Sequence, residues 1–195
     1  SEDNEFKISY DAVSDKKTVI NMTSHMYFNL NGHYKGSIEN HILTIDSEFY
    51  NPVIDSKSIP TEENAPVEGT VFDFRKAKRV GDDIEADEIQ LKYVGGYDHN
   101  YVIDDNKGAV AVVEERTTGI RMEVFTDLPG IQFYAGNCIR EDLSGKEGAV
   151  YGKRSGLCLE TQYFPNSANQ EGFKRPIFGA GDRYDTTTTY KFSII

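Results

Sequence analysis

Residues 155–170, SGLCLETQYFPNSANQ, place the carboxylate of Glu160 directly after three apolar residues. A carboxylate is costly to bury unless it is paired, hydrogen-bonded or protonated. In a strand over 157–162, Glu160 shares one face with Cys158 and Gln162, and the two leucines that flank Cys158 share the other. The stretch therefore predicts a strand with one apolar face, whose polar face carries Glu160 away from the core.

The same alternation of apolar and polar residues dominates the rest of the chain and predicts further strands. Residues 108–127 form a predicted hairpin around Gly119, and 81–93 form a predicted short helix capped by Asp82 or Asp83. Many short strands with little helix indicate an all-β sandwich or barrel. We expect one β-sandwich domain over residues 1–195, with 51–69 as a connection inside it. The other predicted strands lie in 5–13, 18–30, 41–50, 95–103, 130–137 and 185–195.

Composition argues against several partners. The formal net charge of −11 over 195 residues would repel nucleic acid and anionic lipid surfaces. Two cysteines do not make a disulfide framework, so we expect both to be reduced in a cytoplasmic protein. No run approaches the length of a transmembrane helix, and no signal peptide precedes SEDNEFKISY.

Because side chains alternate between the two faces of a strand, the predicted strands place polar and aromatic side chains together on one face. His25 shares its face with Tyr27, Gln132 with Tyr134, and Asp98 with an asparagine two residues later. Phenol rings beside amides and carboxylates suit a groove for sugars, because rings stack on C–H faces and polar groups pair with hydroxyls. The alternative is that these residues face solvent, as they ordinarily do on one side of an antiparallel sheet.

Each of these residues also has an ordinary structural interpretation. His25 could be a surface histidine, Asp98 a turn residue, Gln132 an edge-strand amide and Cys158 a small buried hydrophobe. The acidic run 81–88 is more typical of a solvated loop than of a metal site. Three histidines recur every eight residues from position 25, which is no established zinc spacing, so we expect no metal site.

Five motifs taken together resemble the galactose mutarotase (aldose 1-epimerase) family. They are NMTSHMYFNLNG (21–32), GGYDHNYVI (95–103), LPGIQFYAGN (128–137), the opening stretch (155–170) and YDTTTTYKFS (184–193). They occur in family order with similar gaps over nearly the whole chain. The resemblance implies a large twisted antiparallel β-sandwich, the mutarotase-like supersandwich, with a sugar cleft on one sheet.

The resemblance also implies an activity, the interconversion of α and β anomers of free aldoses such as galactose and glucose. His25 falls on the family's general acid and Glu160 on its general base, while Asp98 and Gln132 fall on residues that bind sugar hydroxyls. We expect these two catalytic groups to flank one monosaccharide from opposite ends of its hemiacetal. The family needs no cofactor and no metal.

The chain departs from the family pattern in two ways. Ser24 stands where the family usually has Asn, and Met26 where it has a small residue, so the orientation of His25 could differ. Family members also extend well upstream of Ser1 and supply an Arg and a second His to the cleft. We therefore expect a C-terminal portion of the fold, with its N-terminal part absent. Its possible partners are that missing half or another copy. The alternative function is a non-catalytic carbohydrate-binding sandwich, or an inactive fragment.

Overall fold

The computed structural model describes residues 3–103, 108–142 and 144–195. One α-helix lies in the described parts, α1 (Ile89–Val94), and short 3-10 turns lie at Ile38–Asn40, Lys146–Gly148 and Ser167–Asn169. The strands described are β1 (Glu5–Val13), β2 (Thr18–Val19), β3 (Ile42–Ile45), β4 (Phe49–Asn51), β5 (Ala65–Pro66), β6 (Lys78–Arg79), β7 (Asp98–Val102), β8 (Ala111–Glu115), β9 (Ile120–Thr126), β10 (Gly130–Tyr134), β11 (Cys158–Gln162), β12 (Ile177–Phe178) and β13 (Arg183–Ile194).

Two main sheets form the fold. A six-stranded sheet has the order β1-β13-β9-β8-β3-β6, and a five-stranded sheet has the order β11-β10-β7-β4-β5. A small third sheet pairs β12 with β2. Every strand pairing in the described residues is antiparallel. The predicted all-β antiparallel fold is therefore confirmed.

The core lies between the inner faces of the two main sheets. The six-stranded sheet contributes Leu43, Val113 and Tyr190, and the five-stranded sheet contributes Phe133 and Leu159, all of them buried. The Tyr190 hydroxyl donates to the backbone carbonyl of Leu159 at 2.8 Å, so one bond ties the sheets together across the core. Because the apolar residues of β11 face the core, the side chains on its other face point toward the outside of the sandwich.

The hairpin predicted at 108–127 is present as β8 and β9. Gly119 has φ +72°, a left-handed conformation that glycine adopts without steric cost. The Thr118 amide also donates to the Glu115 carboxylate at 2.7 Å, which closes the turn from the other side.

Two local predictions were wrong. Only Thr18–Val19 of the strand expected over 18–30 is a strand, and the segment then runs irregularly to a single bridge between Phe28 and Leu157. The helix expected over 81–93 begins at Ile89, and its cap is Glu88, whose side chain accepts from the Gln90 amide. Residues 81–87 form turns instead. Alternation is a short-range pattern and does not encode the tertiary contacts of these two segments. Examples are the bridge of Phe28 to Leu157 and the ion pair of Glu85 with Arg154.

No helix in the described parts of the chain has the length and apolarity needed to cross a lipid bilayer.

Candidate active site

The register of the five-stranded sheet builds a polar row on its outer face. In this register Gln132 of β10 lies opposite Glu160 of β11 on one side and Asn100 of β7 on the other. One step along, Tyr134 lies between Cys158 and Asp98. Directly opposed residues share a face of a sheet, so three sequence-distant motifs meet on one surface.

Glu160 is the most buried carboxylate of this row. Its side chain is 10% exposed and contacts His25, with Oε1 3.2 Å from the imidazole Nε2. Burial raises the pKa of the Glu160 carboxyl, His25 opposes that rise, and the negative charge of Asp98 adds to it. The result is a carboxyl with a raised pKa in direct contact with an imidazole, as general acid–base work requires.

His25 reaches the outer face of the sheet from the irregular segment after β2. Its Nδ1 lies 3.3 Å from the Cys158 sulfur, opposite the nitrogen that contacts Glu160. The ring stacks on Tyr27 with centroids 4.9 Å apart and meets Tyr134 edge-on at 5.8 Å. Two polar contacts and two aromatic neighbours therefore orient an imidazole that keeps 54% of its side chain exposed.

Asp98 and Gln132 form a second polar pair beside the first. The Gln132 amide donates to Asp98 Oδ1 at 2.8 Å, and the Gln162 amide donates to Gln132 Oε1 at 3.4 Å. Burial raises the pKa of the Asp98 carboxyl, against the opposing effects of the Gln132 hydrogen bond and of His25. The pair offers acceptors and donors for neighbouring hydroxyl groups of a bound polyol.

These side chains line a cleft of about 350 Å³. We call it the acid–base cleft, and its lining residues are His25, Tyr27, Ser58, Asp98, Gln132, Tyr134, Cys138, Glu160, Gln162 and Pro165. All four residues named from the sequence as catalytic or substrate-binding lie in it.

The arrangement differs from expectation in one respect. The two acid–base groups were expected at opposite ends of a hemiacetal, but in the structure His25 and Glu160 contact each other directly. Despite Ser24 and Met26 beside it, His25 still reaches the carboxylate, since Met26 packs against the core on the other side of the chain.

The remaining lining residues differ in how far a local pattern predicts them. Parity placed Tyr134 and Gln162 on the polar face, so both were open to prediction. Ser58 comes from the connection 51–69 and Pro165 from the loop after β11, and no local pattern marks either as a cleft residue. Cys158 is buried, as its interpretation as a small hydrophobe required, but its sulfur also contacts His25.

The three regularly spaced histidines do not share partners. His33 contacts Glu147 through Nε2 at 3.2 Å and the Tyr151 hydroxyl through Nδ1 at 3.3 Å. His41 is buried, and its Nε2 accepts from the Leu30 amide at 2.9 Å. Burial lowers the pKa of His41 to about 4.

Comparisons with known proteins agree with the five motifs. The family model described as aldose 1-epimerase matches residues 1–191. The chain is 42% identical to the galactose mutarotase of Homo sapiens over 192 residues, covering 97% of this chain and 54% of that protein. It is 37% identical to the aldose 1-epimerase of Escherichia coli (strain K12) over 198 residues, covering 98% of this chain and 56% of that protein.

Among solved structures, the galactose 1-epimerase from Lactobacillus acidophilus NCFM is similar, with a TM-score of 0.84 and 31% identity. That match covers 99% of this chain and 54% of the solved chain. The chain thus spans about half the length of the relatives it matches.

Proposed function

The chain belongs to the aldose 1-epimerase family, and on that premise we propose that it carries the acid–base pair of an enzyme that interconverts α and β anomers of free aldoses. The observation that carries the proposal is the contact between His25 and Glu160 at 3.2 Å inside the acid–base cleft. The names of the relatives point to galactose as a substrate, and the same chemistry applies to glucose.

Anomer exchange needs two proton transfers at one carbon. Glu160 takes the proton of the C1 hydroxyl while His25, entering as the imidazolium, donates a proton to the ring oxygen. The bond between C1 and the ring oxygen breaks, and the C1 hydroxyl oxygen becomes the aldehyde carbonyl. Both oxygens are bonded to C1, so two groups in mutual contact can serve them together. The C1–C2 bond of the open aldehyde then rotates, and closure on the other carbonyl face reverses both transfers.

The environment of Glu160 supports its role as the base. Each positioned proton-transfer group typically contributes ~10²–10⁴-fold, and it is most effective when its pKa lies near the working pH. Burial raises the pKa of Glu160 in that direction. Asp98 and Gln132 are proposed to hold hydroxyls of the sugar, because their side chains lie in the same cleft and already bond each other. The proposed reaction calls for no cofactor and no metal.

Polarimetry tests the proposal directly. Freshly dissolved α-D-galactose should lose optical rotation faster with the protein, and His25→Asn should reduce the rate at least about a hundredfold. The rate is measured with this chain alone and with a longer chain that contains the rest of the family fold. Full acceleration by His25→Asn in both forms contradicts the assignment of the acid. Saturable galactose binding without acceleration in either form favours the carbohydrate-binding alternative.

A second surface supports a protein partner. A cleft of about 830 Å³, which we call the apolar cleft, is lined by Phe28, Leu30, Ile139 and Phe192 among others. It shares Tyr27 with the acid–base cleft. Open apolar surface of this kind marks interaction sites.

We propose that the apolar cleft receives the part of the family fold that this chain does not match. Adding that polypeptide separately should form a one-to-one complex, detected by light scattering, and should raise the mutarotation rate. A stable homodimer without the added half identifies a second copy as the occupant instead.

The remaining proposals concern where the protein acts. The net charge of −11 supports the absence of nucleic-acid and membrane partners. Cys138 and Cys158 are unpaired, which supports a reducing, cytoplasmic location.

A further inference from the structure

Two side chains that bind metals well, the Cys158 thiol and the His25 imidazole, lie side by side at the acid–base cleft. The Cys158 sulfur, the His25 imidazole and a Glu160 carboxylate oxygen all lie within 4.8 Å of one another. The proposed reaction uses the imidazole and the carboxylate but has no task for the thiol. Sulfur, nitrogen and oxygen in one group are the donors that zinc prefers.

We propose that His25, Cys158 and Glu160 form an inhibitory binding site for a thiophilic divalent cation, of which Zn²⁺ is the expected physiological example. The inhibitory consequence rests on the proposed function, whereas the binding itself does not. Three protein ligands with an open fourth position are a common arrangement for zinc. Here the cation would bind His25 and Glu160, the two groups that otherwise transfer protons in the proposed reaction.

The spacing of the donors suits such a site. The 3.3 Å between Cys158 Sγ and His25 Nδ1 is close to the separation of two ligands around a tetrahedral zinc. The cation would replace the hydrogen bond between these two atoms. His25 would release its Nε2 contact with Glu160, and the carboxylate would then turn toward the metal.

The negative charge around the site and the exposure of His25 also favour a cation. Glu160 and Asp98 place negative charge near the Cys158 sulfur. The same two carboxylates attract a divalent cation, and a coordinated thiol gives up its proton to the metal. His25 is exposed and lies outside the strands, so its ring can admit the ion without breaking a ladder bond.

Cobalt substitution tests the site without any activity measurement. Co²⁺ added to the chain under reducing conditions should produce the near-ultraviolet charge-transfer band of a thiolate ligand, and Zn²⁺ should abolish that band. Cys158→Ser should remove the band, and Glu160→Gln should weaken Co²⁺ binding at least about tenfold. Cys138→Ser, which alters the exposed cysteine, should keep it.

Several outcomes overturn the proposal: no band in the native chain, a band that survives Cys158→Ser, or one that disappears in Cys138→Ser. NMR spectra of the histidine ring nitrogens in the native chain test the site even where a variant fails to fold. Zn²⁺ should shift the His25 resonances and leave those of His33, His41 and His99 in place; shifts confined to the other three rings contradict the site.

Adding galactose to the Co²⁺-loaded protein distinguishes the proposed metal site from the proposed sugar site. In a form of the protein that accelerates mutarotation, competition between galactose and Co²⁺ supports both the metal site and the sugar site. In that form, a band that is insensitive to galactose supports the metal site and contradicts the proposed sugar site.

Discussion

Two histidine–glutamate pairs in this molecule have the same geometry and different surroundings. His25–Glu160 and His33–Glu147 both have a nitrogen–oxygen distance of 3.2 Å. In each pair the other ring nitrogen lies 3.3 Å from a second polar atom, the Cys158 sulfur or the Tyr151 hydroxyl.

The carboxylates distinguish the pairs. The Glu160 side chain is 10% exposed, on the edge strand β11 of the five-stranded sheet, whereas the Glu147 side chain is 66% exposed, on a short 3-10 turn. Water screens an exposed ion pair, so its contribution to stability is small. Only the buried carboxylate stands in a cleft with other polar side chains. Contact distance therefore does not distinguish the two pairs, whereas burial and neighbouring side chains do.

The largest expected effect is on turnover. Glu160→Gln keeps the shape of the side chain and removes the proposed base, so the mutarotation rate should fall at least about a hundredfold. Glu147→Gln makes the same change in the exposed pair and should leave the rate unaltered. Both are measured by polarimetry in a form of the protein that accelerates the reaction. Equal losses of rate in the two variants would contradict the functional difference between the two pairs.

A fully buried histidine extends the comparison to stability. Burial lowers the pKa of His41 to about 4, from an ordinary value of 6.5. A histidine whose folded pKa is lowered binds protons more tightly when unfolded, so stability falls as the pH drops from 6.5 toward 4. By pH 4.5 the expected loss of unfolding free energy from His41 is about 2 kcal/mol.

Denaturant unfolding at several pH values measures this loss. In His41→Gln, whose amide oxygen can still accept from Leu30 but does not titrate, the pH dependence should be flatter by that amount. A variant that destabilises equally at every pH, with no change in slope, contradicts the titration of His41.

A smaller effect is expected on sugar affinity. Gln132→Ala removes a group that bonds both Asp98 and Gln162, and one lost hydrogen bond to a sugar hydroxyl should weaken binding about tenfold. Calorimetric titration with galactose measures the change, and Glu147→Gln is again the control. Unchanged affinity in Gln132→Ala would remove this residue from the sugar site.

The smallest expected effect is a gain in stability. A carboxyl with a raised pKa binds protons more tightly when folded, so the protein loses stability as the pH rises through the raised pKa of Glu160. Glu160→Gln should therefore raise the melting temperature by a few degrees near neutral pH. The gain should shrink as the pH is lowered through that pKa.

The gain should be absent in Glu147→Gln, as scanning calorimetry of both variants can show. A lower melting temperature for Glu160→Gln at neutral pH would mean that the contact with His25 outweighs the desolvation of the carboxylate.

Alternation in the sequence predicted most of the strands and which side chains share a face, because a period of two is a local property of an extended chain. The same alternation predicted that Glu160, Gln132 and Asp98 point away from the core, and the five motifs indicated the family. It failed for residues 20–27, where His25 reaches the cleft without a strand.

Which residues contact one another across the sheets depends on the assembled fold. The register that sets Gln132 between Glu160 and Asn100 joins segments far apart in the chain, and no local pattern encodes that pairing. The same holds for the contact of His25 with Cys158, and for the raised pKa of Glu160. Desolvation depends on every atom packed around a charge, so it exists only once the sheets and loops have assembled.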